Sequence, residues 1–253
     1  MILYFSATGN SRFVADYIAN STGDNVVRLN DIFKSGAPGV FRSQRPFVIV
    51  SPIYAWRFPQ KIEELLKKAQ FQGSDKFYCI ATSGESSGNA GICVAKILKN
   101  RNFDLAGFAN IVMPDNYLPG GEMPDKETAV KVIRQSLPKM QEICRLINAN
   151  QSFRMDFQCK NGWFLSSVAN WGFNVFEKNS NSFRVDDKCV QCKKCIDNCP
   201  TNNITLQDGK IKFHNRCMFC LACIHGCPVH AISYKNSKNG FYQCPSEKDI
   251  SEK

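Results

Sequence analysis

The chain has 253 residues, of which 43% are hydrophobic and 21% are charged, and this composition is typical of a globular protein with one large and one small domain. No stretch reaches the roughly 20 apolar residues of a membrane-spanning helix, so we expect no transmembrane segment. The formal net charge of +10 is spread along the chain and forms no basic run, so we do not expect nucleic acid as a partner.

Short apolar runs alternate with helix-periodic stretches through residues 1–150. Five runs have the length and β-branched content of buried parallel strands: Ile2–Phe5, Val26–Leu29, Phe47–Val50, Phe77–Ala81 and Ile111–Met113. The last helix is predicted from about Asp125, whereas residues 31–46 make a poor helix. This βαβ series predicts a doubly wound parallel sheet of five strands, with a ligand at the carboxyl ends of the strands.

Three loops follow strands at that edge of the sheet. The first joins a strand to a helix N-terminus, where hydroxyl and backbone N–H groups suit a phosphate, although Ser and Asn also cap helices without a ligand. The second carries Tyr54 and Trp56, which suit a flat ring or a packed surface loop, and the third is rich in small residues, as in a ligand loop or a turn. The candidate binding residues are Ser6, Ala7, Thr8, Gly9, Asn10, Ser11, Pro52, Ile53, Tyr54, Ala55, Trp56, Thr82, Ser83, Gly84 and Gly88.

Together the three loops resemble those of flavodoxin, over roughly residues 1–150. The phosphate loop of that family matches residues 6–11, with Ser11 in the place where Thr is usual. The resemblance implies an FMN cofactor, with its phosphate on the first loop and its ring between the other two. Many flavodoxins cover one ring face with an aromatic residue of the third loop, which this chain lacks. Asn116 and Tyr117 are therefore also candidates, unless that face is open to a partner.

Eight of the thirteen cysteines form two copies of the spacing C-x2-C-x2-C-x3-C-P, 28 residues apart. Thiolates at this spacing hold cubane iron–sulfur clusters, and two copies predict two clusters. A zinc site also uses C-x2-C pairs, but the repeated triple followed by Cys-Pro is not a zinc-ribbon pattern. The predicted ligands are Cys189, Cys192, Cys195, Cys199, Cys217, Cys220, Cys223 and Cys227.

Residues 184–236 resemble a bacterial ferredoxin with two [4Fe-4S] clusters. In that family the fourth cysteine of each run serves the other cluster. The resemblance thus implies one cluster on Cys189, Cys192, Cys195 and Cys227, and a second on Cys217, Cys220, Cys223 and Cys199.

The remaining cysteines and the histidines are not predicted to bind metal. Cys79, Cys93 and Cys144 lie on apolar faces and are interpreted as core residues. His214, His225 and His230 are interpreted as surface or packing residues, and Cys159 and Cys244 are left without a role.

A connector, residues 151–183, separates the two parts, and a tail, 237–253, follows. Phe164, Val168, Trp171 and Val175 recur at helical spacing in the connector. We expect this stripe to dock the ferredoxin part onto the flavodoxin part. A helix lying on a membrane surface is the alternative, but the connector lacks a basic face.

As a whole, the chain resembles a fusion family in which a short flavodoxin precedes a two-cluster ferredoxin, a pattern that suits anaerobic metabolism. The resemblance implies an electron carrier with FMN and two [4Fe-4S] clusters. Because thiolate-ligated clusters need a reducing interior, we expect a cytoplasmic protein. It would exchange electrons with redox proteins of the ferredoxin or flavoenzyme type, and its positive charge favours acidic ones. An FMN-dependent reductase of a quinone, a flavin or a nitro-compound is the enzymatic alternative, with no catalytic residue assigned, and a redox or iron sensor is a third.

Overall fold

The computed structural model describes residues 1–177, 180–235 and 240–251. Its main feature is a parallel sheet of six strands in the order β2-β1-β4-β6-β7-β8. The strands of the N-terminal domain are β1 (Ile2–Tyr4), β2 (Val26–Arg28), β3 (Val40–Ser43), β4 (Phe47–Pro52), β5 (Gln70–Gly73), β6 (Lys76–Ser83), β7 (Asp104–Val112) and β8 (Phe153–Arg154). The helices are α1 (Asn10–Thr22), α2 (Leu29–Ser35), α3 (Gln60–Lys68), α4 (Ala90–Lys99) and α5 (Lys126–Asn148), and a 3₁₀ turn covers Leu118–Gly120.

Helices cover both faces of the sheet. On one face, α1 and α5 pack against every second residue of the central strands, such as Val48 and Val50. On the other face, α2, α3 and α4 pack against the alternate residues, such as Phe47 and Ile49. This alternation follows from the period of two residues along a strand, and it makes the sheet doubly wound and flavodoxin-like, as predicted.

Two details of the sheet differ from the prediction. The sixth strand, β8, contains only Phe153 and Arg154 and lies in the predicted connector. The fifth predicted strand, Ile111–Met113, is the end of β7, which begins at Asp104. The sequence pattern missed its first half because that half contains Ala and Gly, which have low strand propensity.

The segment 31–46, predicted as a poor helix, forms the end of α2 and the strand β3. β3 pairs in parallel with β5 in a separate two-stranded sheet, which extends the fold beyond the main sheet. Asp125, at the predicted start of the last helix, caps α5 by accepting a hydrogen bond from the Thr128 N–H.

The C-terminal part is a small α+β module of two β-ribbons and two short helices. β9 (Phe183–Val185) pairs antiparallel with β12 (Ile232–Tyr234), and β10 (Ile204–Gln207) pairs with β11 (Lys210–Phe213). The short helices are Lys194–Asp197 and Ala222–His225, and a further helix at Glu247–Ser251 lies in the tail.

The sequence repeat of the module is also a backbone repeat. Non-glycine residues with positive φ occur in pairs 28 positions apart: Gln191 and Phe219, Lys193 and Leu221, and Asn202 and His230. Each such conformation is costly for a residue with a Cβ, and it is retained where the surrounding structure requires it. The two cysteine runs therefore share one strained backbone path.

The connector is helical from residue 162 to 177, in four consecutive pieces. They are Gly162–Phe164, Leu165–Ala169, Asn170–Gly172 and Phe173–Glu177, of which the second and fourth are π-helical. We call residues 162–177 the connector helix. No helix in the described part of the chain is long and apolar enough to cross a membrane.

The domain boundaries predicted at residues 150 and 183 remain predictions. The boundary between residues 236 and 237, with the first residues of the predicted tail, lies outside the described residues. The described part of the tail returns to the N-terminal domain, where Ile250 joins the core on the α1 and α5 face.

Candidate functional site

A cavity of about 360 Å³ lies at the carboxyl edge of the sheet, where the three predicted loops meet. It is lined by all the predicted cofactor-binding residues except two: Ser6, Ala7, Thr8, Asn10, Ser11, Pro52, Ile53, Tyr54, Ala55, Trp56, Thr82, Ser83, Gly84, Asn116 and Tyr117. We call it the loop cavity. Parallel strands β1, β4 and β6 lie side by side, so the loops that follow them are neighbours at this edge.

The first loop is held by hydrogen bonds to the side chain of Asn30, a residue that the sequence did not predict for the site. Asn30, which is buried, accepts a hydrogen bond from the Ser6 N–H (3.2 Å) and donates one to the Ser6 carbonyl (2.8 Å). The Ser11 and Thr82 hydroxyls bond each other at 2.8 Å and tie the first loop to the third. The only signal for Asn30 in the sequence is a polar residue just past the end of a strand.

Gly9 and Gly88 are the two predicted residues that do not line the loop cavity. Gly9 precedes α1 with φ of 110°, and a Cβ built there would lie 2.6 Å from the Cys244 Cβ. Gly88 also has positive φ, and its Cβ would meet Trp56 and the Ser166 hydroxyl. At both positions the absence of a Cβ therefore lets another segment of the chain pack closely.

The second loop contains a strained turn. Tyr54 and Arg57 exchange two backbone hydrogen bonds, and Ala55 and Trp56 between them both have positive φ. A tight turn of this kind normally carries Gly or Asn, so two residues with larger side chains here indicate a conformation held by its surroundings.

The connector helix holds that turn with its polar side chains. Ser166 donates to the Trp56 carbonyl at 2.8 Å, and Asn170 donates to the carbonyls of Tyr54 and Ala55 at 3.2 and 2.9 Å. The Asn89 N–H in turn donates to the Ser166 hydroxyl at 2.8 Å, so Ser166 links the second and third loops.

The expected aromatic stripe of the connector does not dock the two parts together, and that prediction is wrong. Phe164, Val168, Trp171 and Val175 are 46% to 62% exposed. The helix presents its polar face, Ser166 and Asn170, to the protein instead. Sequence periodicity shows that a helix has two faces, but it assigns the apolar face to the interior by default.

Aromatic side chains from outside the third loop complete the cavity wall. Tyr117, as anticipated, lines it, together with Phe173 of the connector helix and Phe219 of the C-terminal module. Phe219 makes edge contacts with both, at centroid distances of 6.2 Å to Tyr117 and 5.7 Å to Phe173. Three separate segments therefore supply the aromatic side chains that the third loop lacks.

The eight motif cysteines fall into two groups around two small cavities. Cys189, Cys192, Cys195 and Cys227 line one cavity, and we call them the distal set. Cys199, Cys217, Cys220 and Cys223 line the other, and we call them the proximal set. Each set takes three cysteines from one run and the fourth from the other run. Within the described residues, no three His, Cys, Asp or Glu side chains are grouped as for a single metal ion.

Backbone N–H groups point at sulfur atoms at equivalent positions of the repeat. The Asn203 N–H lies 3.2 Å from the Cys199 sulfur, and the Ala231 N–H, 28 residues later, lies 3.3 Å from the Cys227 sulfur. The Phe219 N–H lies 3.3 Å from the Cys217 sulfur. Such donors stabilise thiolate charge and tune the reduction potential of a cluster.

Burial raises the pKa values of several of these thiols. The pKa rises to about 12 at Cys220 and to about 11 at Cys195, and it rises well above the usual range at Cys223. Neighbouring cysteines add to the effect. Without a bound cation these thiols keep their protons, so cluster assembly must release protons from them.

The proximal set and the loop cavity share a wall. Cys220 and Leu221 line both cavities, whereas no residue of the distal set lines the loop cavity. Burial raises the pKa of the Tyr54 hydroxyl, and the nearby Cys220 and Cys217 thiols raise it further. Tyr54 therefore lies next to this wall. Met218 packs into the core of the N-terminal domain.

A second set of contacts joins the parts behind the first loop. His225 lies 3.0 Å from the Asn116 carbonyl through Nε2 and accepts a bond from the Tyr242 N–H at Nδ1, which fixes the neutral tautomer. Burial lowers the His225 pKa, in agreement with that tautomer. The Tyr242 hydroxyl donates to Asn10 Oδ1 at 2.6 Å, and Cys244 lies against Gly9.

The other cysteines and histidines lie outside both cysteine sets. Cys79 and Cys144 are buried in the core of the sheet domain and Cys93 is partly buried, which agrees with their interpretation as core residues. His214 bonds the Thr205 hydroxyl, and His230 stacks on Phe241. Cys159 is half-buried and its N–H donates to the Asn89 side chain.

The residues present fit the two kinds of cofactor that the sequence predicts. Each cysteine set offers four thiols around one cavity, with N–H donors at the sulfurs, as a cubane requires. The loop cavity offers hydroxyls at a helix N-terminus and aromatic rings above them, as a flavin phosphate and a flavin ring require.

Comparison with known proteins identifies the C-terminal part. Residues 188–231 match the family described as 4Fe-4S dicluster domain. The Trp repressor binding protein from Bacillus subtilis is similar in structure, at 11% identity and a TM-score of 0.33, over 58% of this chain and 96% of that one. No curated protein matches the chain. The C-terminal part is a dicluster domain for two [4Fe-4S] clusters, so the chain joins iron–sulfur electron transfer to a flavodoxin-like fold.

Proposed function

We propose that the chain relays electrons between two [4Fe-4S] clusters and an FMN held in the loop cavity, and onward to redox protein partners. The observation that carries this proposal is the shared wall: Cys220 lines both the proximal cavity and the loop cavity. A cluster exchanges single electrons and a flavin exchanges one or two, so the pair suits a relay between one-electron and two-electron partners.

The residues proposed to hold the cofactors follow from the two cavities and the loops. Each cysteine set is proposed to ligate one cluster. The first loop is proposed to bind the phosphate through the Ser6 and Thr8 hydroxyls and the N–H groups at the start of α1. Tyr54, Trp56 and Tyr117 are proposed to contact the ring, and Phe219 to exclude water from the side that faces the proximal set.

The distal set is the proposed entry point for external electrons. Cys192 is exposed and Val190 beside it is 61% exposed, whereas the fourth cysteine of each set is buried. The distal set has no residue on the loop cavity, whereas the proximal set shares a wall with it, so the proximal cluster is the proposed step between the distal cluster and the flavin. The positive charge of the chain favours an acidic protein donor of the ferredoxin type.

The first test is a count of the cofactors. Protein purified without oxygen should contain about eight irons and one FMN per chain, and a redox titration followed by absorbance and electron paramagnetic resonance should resolve both kinds of centre. A preparation with zinc in place of iron, or one that fails to bind added FMN, would contradict the proposal.

The second test is the order of the relay. Replacing the exposed distal ligand, Cys192→Ser, should slow reduction of the flavin by a reduced low-potential ferredoxin at least about tenfold, in anoxic stopped-flow mixing. Cys159→Ser, a half-buried cysteine outside both sets, is the matched control. An unchanged rate in Cys192→Ser, with the distal cluster shown to be absent, would mean that electrons reach the flavin by another route.

A second cavity favours a second candidate function, reduction of a small molecule. It measures about 360 Å³, is mostly polar, and shares Tyr54 and Phe173 with the loop cavity. Arg57 and Glu63 form a bidentate ion pair on its wall, at 2.8 and 2.7 Å. A polar acceptor bound there would lie beside the proposed flavin. Turnover of quinones, nitro-compounds or free flavins by reduced protein, above the rate of free FMN, tests this candidate, and its absence favours the carrier.

A further inference from the structure

Among the described residues, the largest group of exposed apolar side chains lies on the connector helix. Eleven large hydrophobic residues are exposed, and five of them belong to this one helix, while the others are scattered over separate elements. The five are Trp163, Phe164, Val168, Trp171 and Val175, with exposures of 46% to 71%. We call them the exposed stripe. Contiguous apolar surface of this kind marks an interaction site, whereas single exposed apolar residues do not.

The stripe faces outward because the opposite face of the helix is fixed to the protein. Ser166 and Asn170 donate hydrogen bonds to carbonyls of the strained turn at Tyr54–Trp56, and Asn174 donates to Asn170 within the helix. Rolling the helix to bury the stripe would break the bonds to the turn, so each of these carbonyls would lose a donor. Residues four apart lie on the same side of a helix, as do Phe164 and Val168, and Trp171 and Val175.

The chemistry of the stripe favours a lipid surface over a specific protein. The polar side chains that bond to the rest of the protein lie on the inward face of the helix. The outward face therefore consists mainly of indole and other apolar groups, and Ser167 is the one exposed hydroxyl residue between Trp163 and Trp171. No charged residue occurs from 161 to 176, so burial of this face desolvates no charge of its own. Tryptophan is also the side chain that is enriched at the boundary between water and lipid.

The charge of the molecule favours an anionic surface. A helix that lies alone on a membrane needs its own basic face, which this helix lacks, so the attraction must come from the rest of the chain. The formal charge is +10, and it stays at about +4 when two four-thiolate clusters and a flavin phosphate are counted.

We propose that the exposed stripe docks the protein onto an anionic lipid surface, with the loop cavity close to that surface. Phe173 of the same helix lines the loop cavity, and the helix holds the turn that carries Trp56. Docking would therefore bring a lipid-dissolved acceptor of the quinone class near the proposed flavin. The docking itself rests on the stripe and the net positive charge, and only this last consequence rests on the proposed function.

The test uses the complete chain with its cofactors and vesicles of phosphatidylglycerol and phosphatidylcholine, prepared without oxygen. We expect co-sedimentation with anionic vesicles, weaker binding to pure phosphatidylcholine, and release by salt. Two of the three tryptophans lie in the stripe, so their emission should shift to shorter wavelength on binding. The double variant Trp163→Ser/Trp171→Ser should lower vesicle affinity at least about tenfold.

The matched control removes exposed apolar side chains elsewhere. Val40→Ser/Val112→Ser changes two exposed residues on other elements, both outside the cysteine sets, and should bind vesicles as the parent does. Iron and flavin contents, measured for each variant, separate loss of docking from loss of folding or of cofactors. Absence of vesicle binding by the parent overturns the proposal, as does equal loss in both double variants. A parent dimer that Trp163→Ser/Trp171→Ser converts to a monomer, without vesicle binding, would instead assign the stripe to a second copy of the chain.

Discussion

Single buried polar residues and glycines decide the shape of the first loop. Asn30 bonds both backbone groups of Ser6, and Gly9 adopts a backbone angle that residues with a side chain rarely reach. Neither residue needs to contact the ligand to matter. Their effect is to hold the loop in one conformation, which lowers the entropy cost of binding an anion.

A negative charge at Asn30 should lower the affinity for flavin more than it lowers the stability of the fold. Asn30→Asp keeps the acceptor for the Ser6 N–H but loses the donor to the Ser6 carbonyl, and it adds a negative charge beneath the proposed phosphate site. We expect the FMN dissociation constant to rise at least about tenfold, measured by fluorescence titration of flavin-depleted protein. Asn100→Asp adds the same charge at an exposed helix end and should leave the constant unchanged.

A methyl group at Gly9 should destabilise the loop directly. Gly9→Ala places a Cβ 2.6 Å from the Cys244 Cβ at a φ of 110°, so we expect the free energy of unfolding to fall by at least about 2 kcal/mol. Gly172→Ala is the matched control, because its Cβ meets no atom within 4 Å and it lies in a helix. Denaturant midpoints compare the two, and a Gly9→Ala protein as stable as the Gly172→Ala protein would contradict the expectation.

The connector helix joins the second and third loops to the C-terminal module. Its polar face supplies donors to the strained turn at Tyr54–Trp56, and Phe173 contacts Phe219. The helix is therefore part of the site although none of its residues was predicted to be.

Removing the donor of Asn170 should release the strained turn. In Asn170→Leu the Ala55 carbonyl loses its donor and the Tyr54 carbonyl keeps only the Arg57 N–H, and each lost bond is worth about 1 kcal/mol. We expect flavin affinity to fall about tenfold with iron content unchanged, by the same fluorescence titration. Ser167→Ala alters an exposed residue of the same helix and should have no effect. Equal affinities in the two variants would mean that the turn keeps its shape without the helix.

At the scale of the whole molecule, the C-terminal module depends on its cofactors. Its hydrophobic core includes Cys227 and borders on four further motif cysteines, so the clusters would occupy the place that a larger domain fills with apolar side chains. The sheet domain has its own two apolar layers and does not share this dependence.

Iron removal should therefore unfold one part and weaken the other. After anoxic chelation we expect rapid hydrogen exchange and proteolysis within residues 184–235, with the strands of the main sheet still protected. FMN should bind more weakly, because the wall formed by Phe219, Cys220 and Leu221 is lost. Reconstitution with iron and sulfide should restore both properties. Cooperative unfolding of the whole chain on chelation would show that the domains are not independent.

The sequence by itself determined the chemistry: the cysteine spacing specified two clusters, and the alternation of apolar runs specified a doubly wound sheet. Such patterns are local, because ligand spacing and strand periodicity depend on residues that are close together in the sequence. Tertiary structure decided how these parts meet: which residues form the wall between Cys220 and Tyr54, how Asn30 clamps the first loop, and which face of the connector helix is turned to solvent. These contacts join residues far apart in the chain, and a single sequence carries no periodic signal for them.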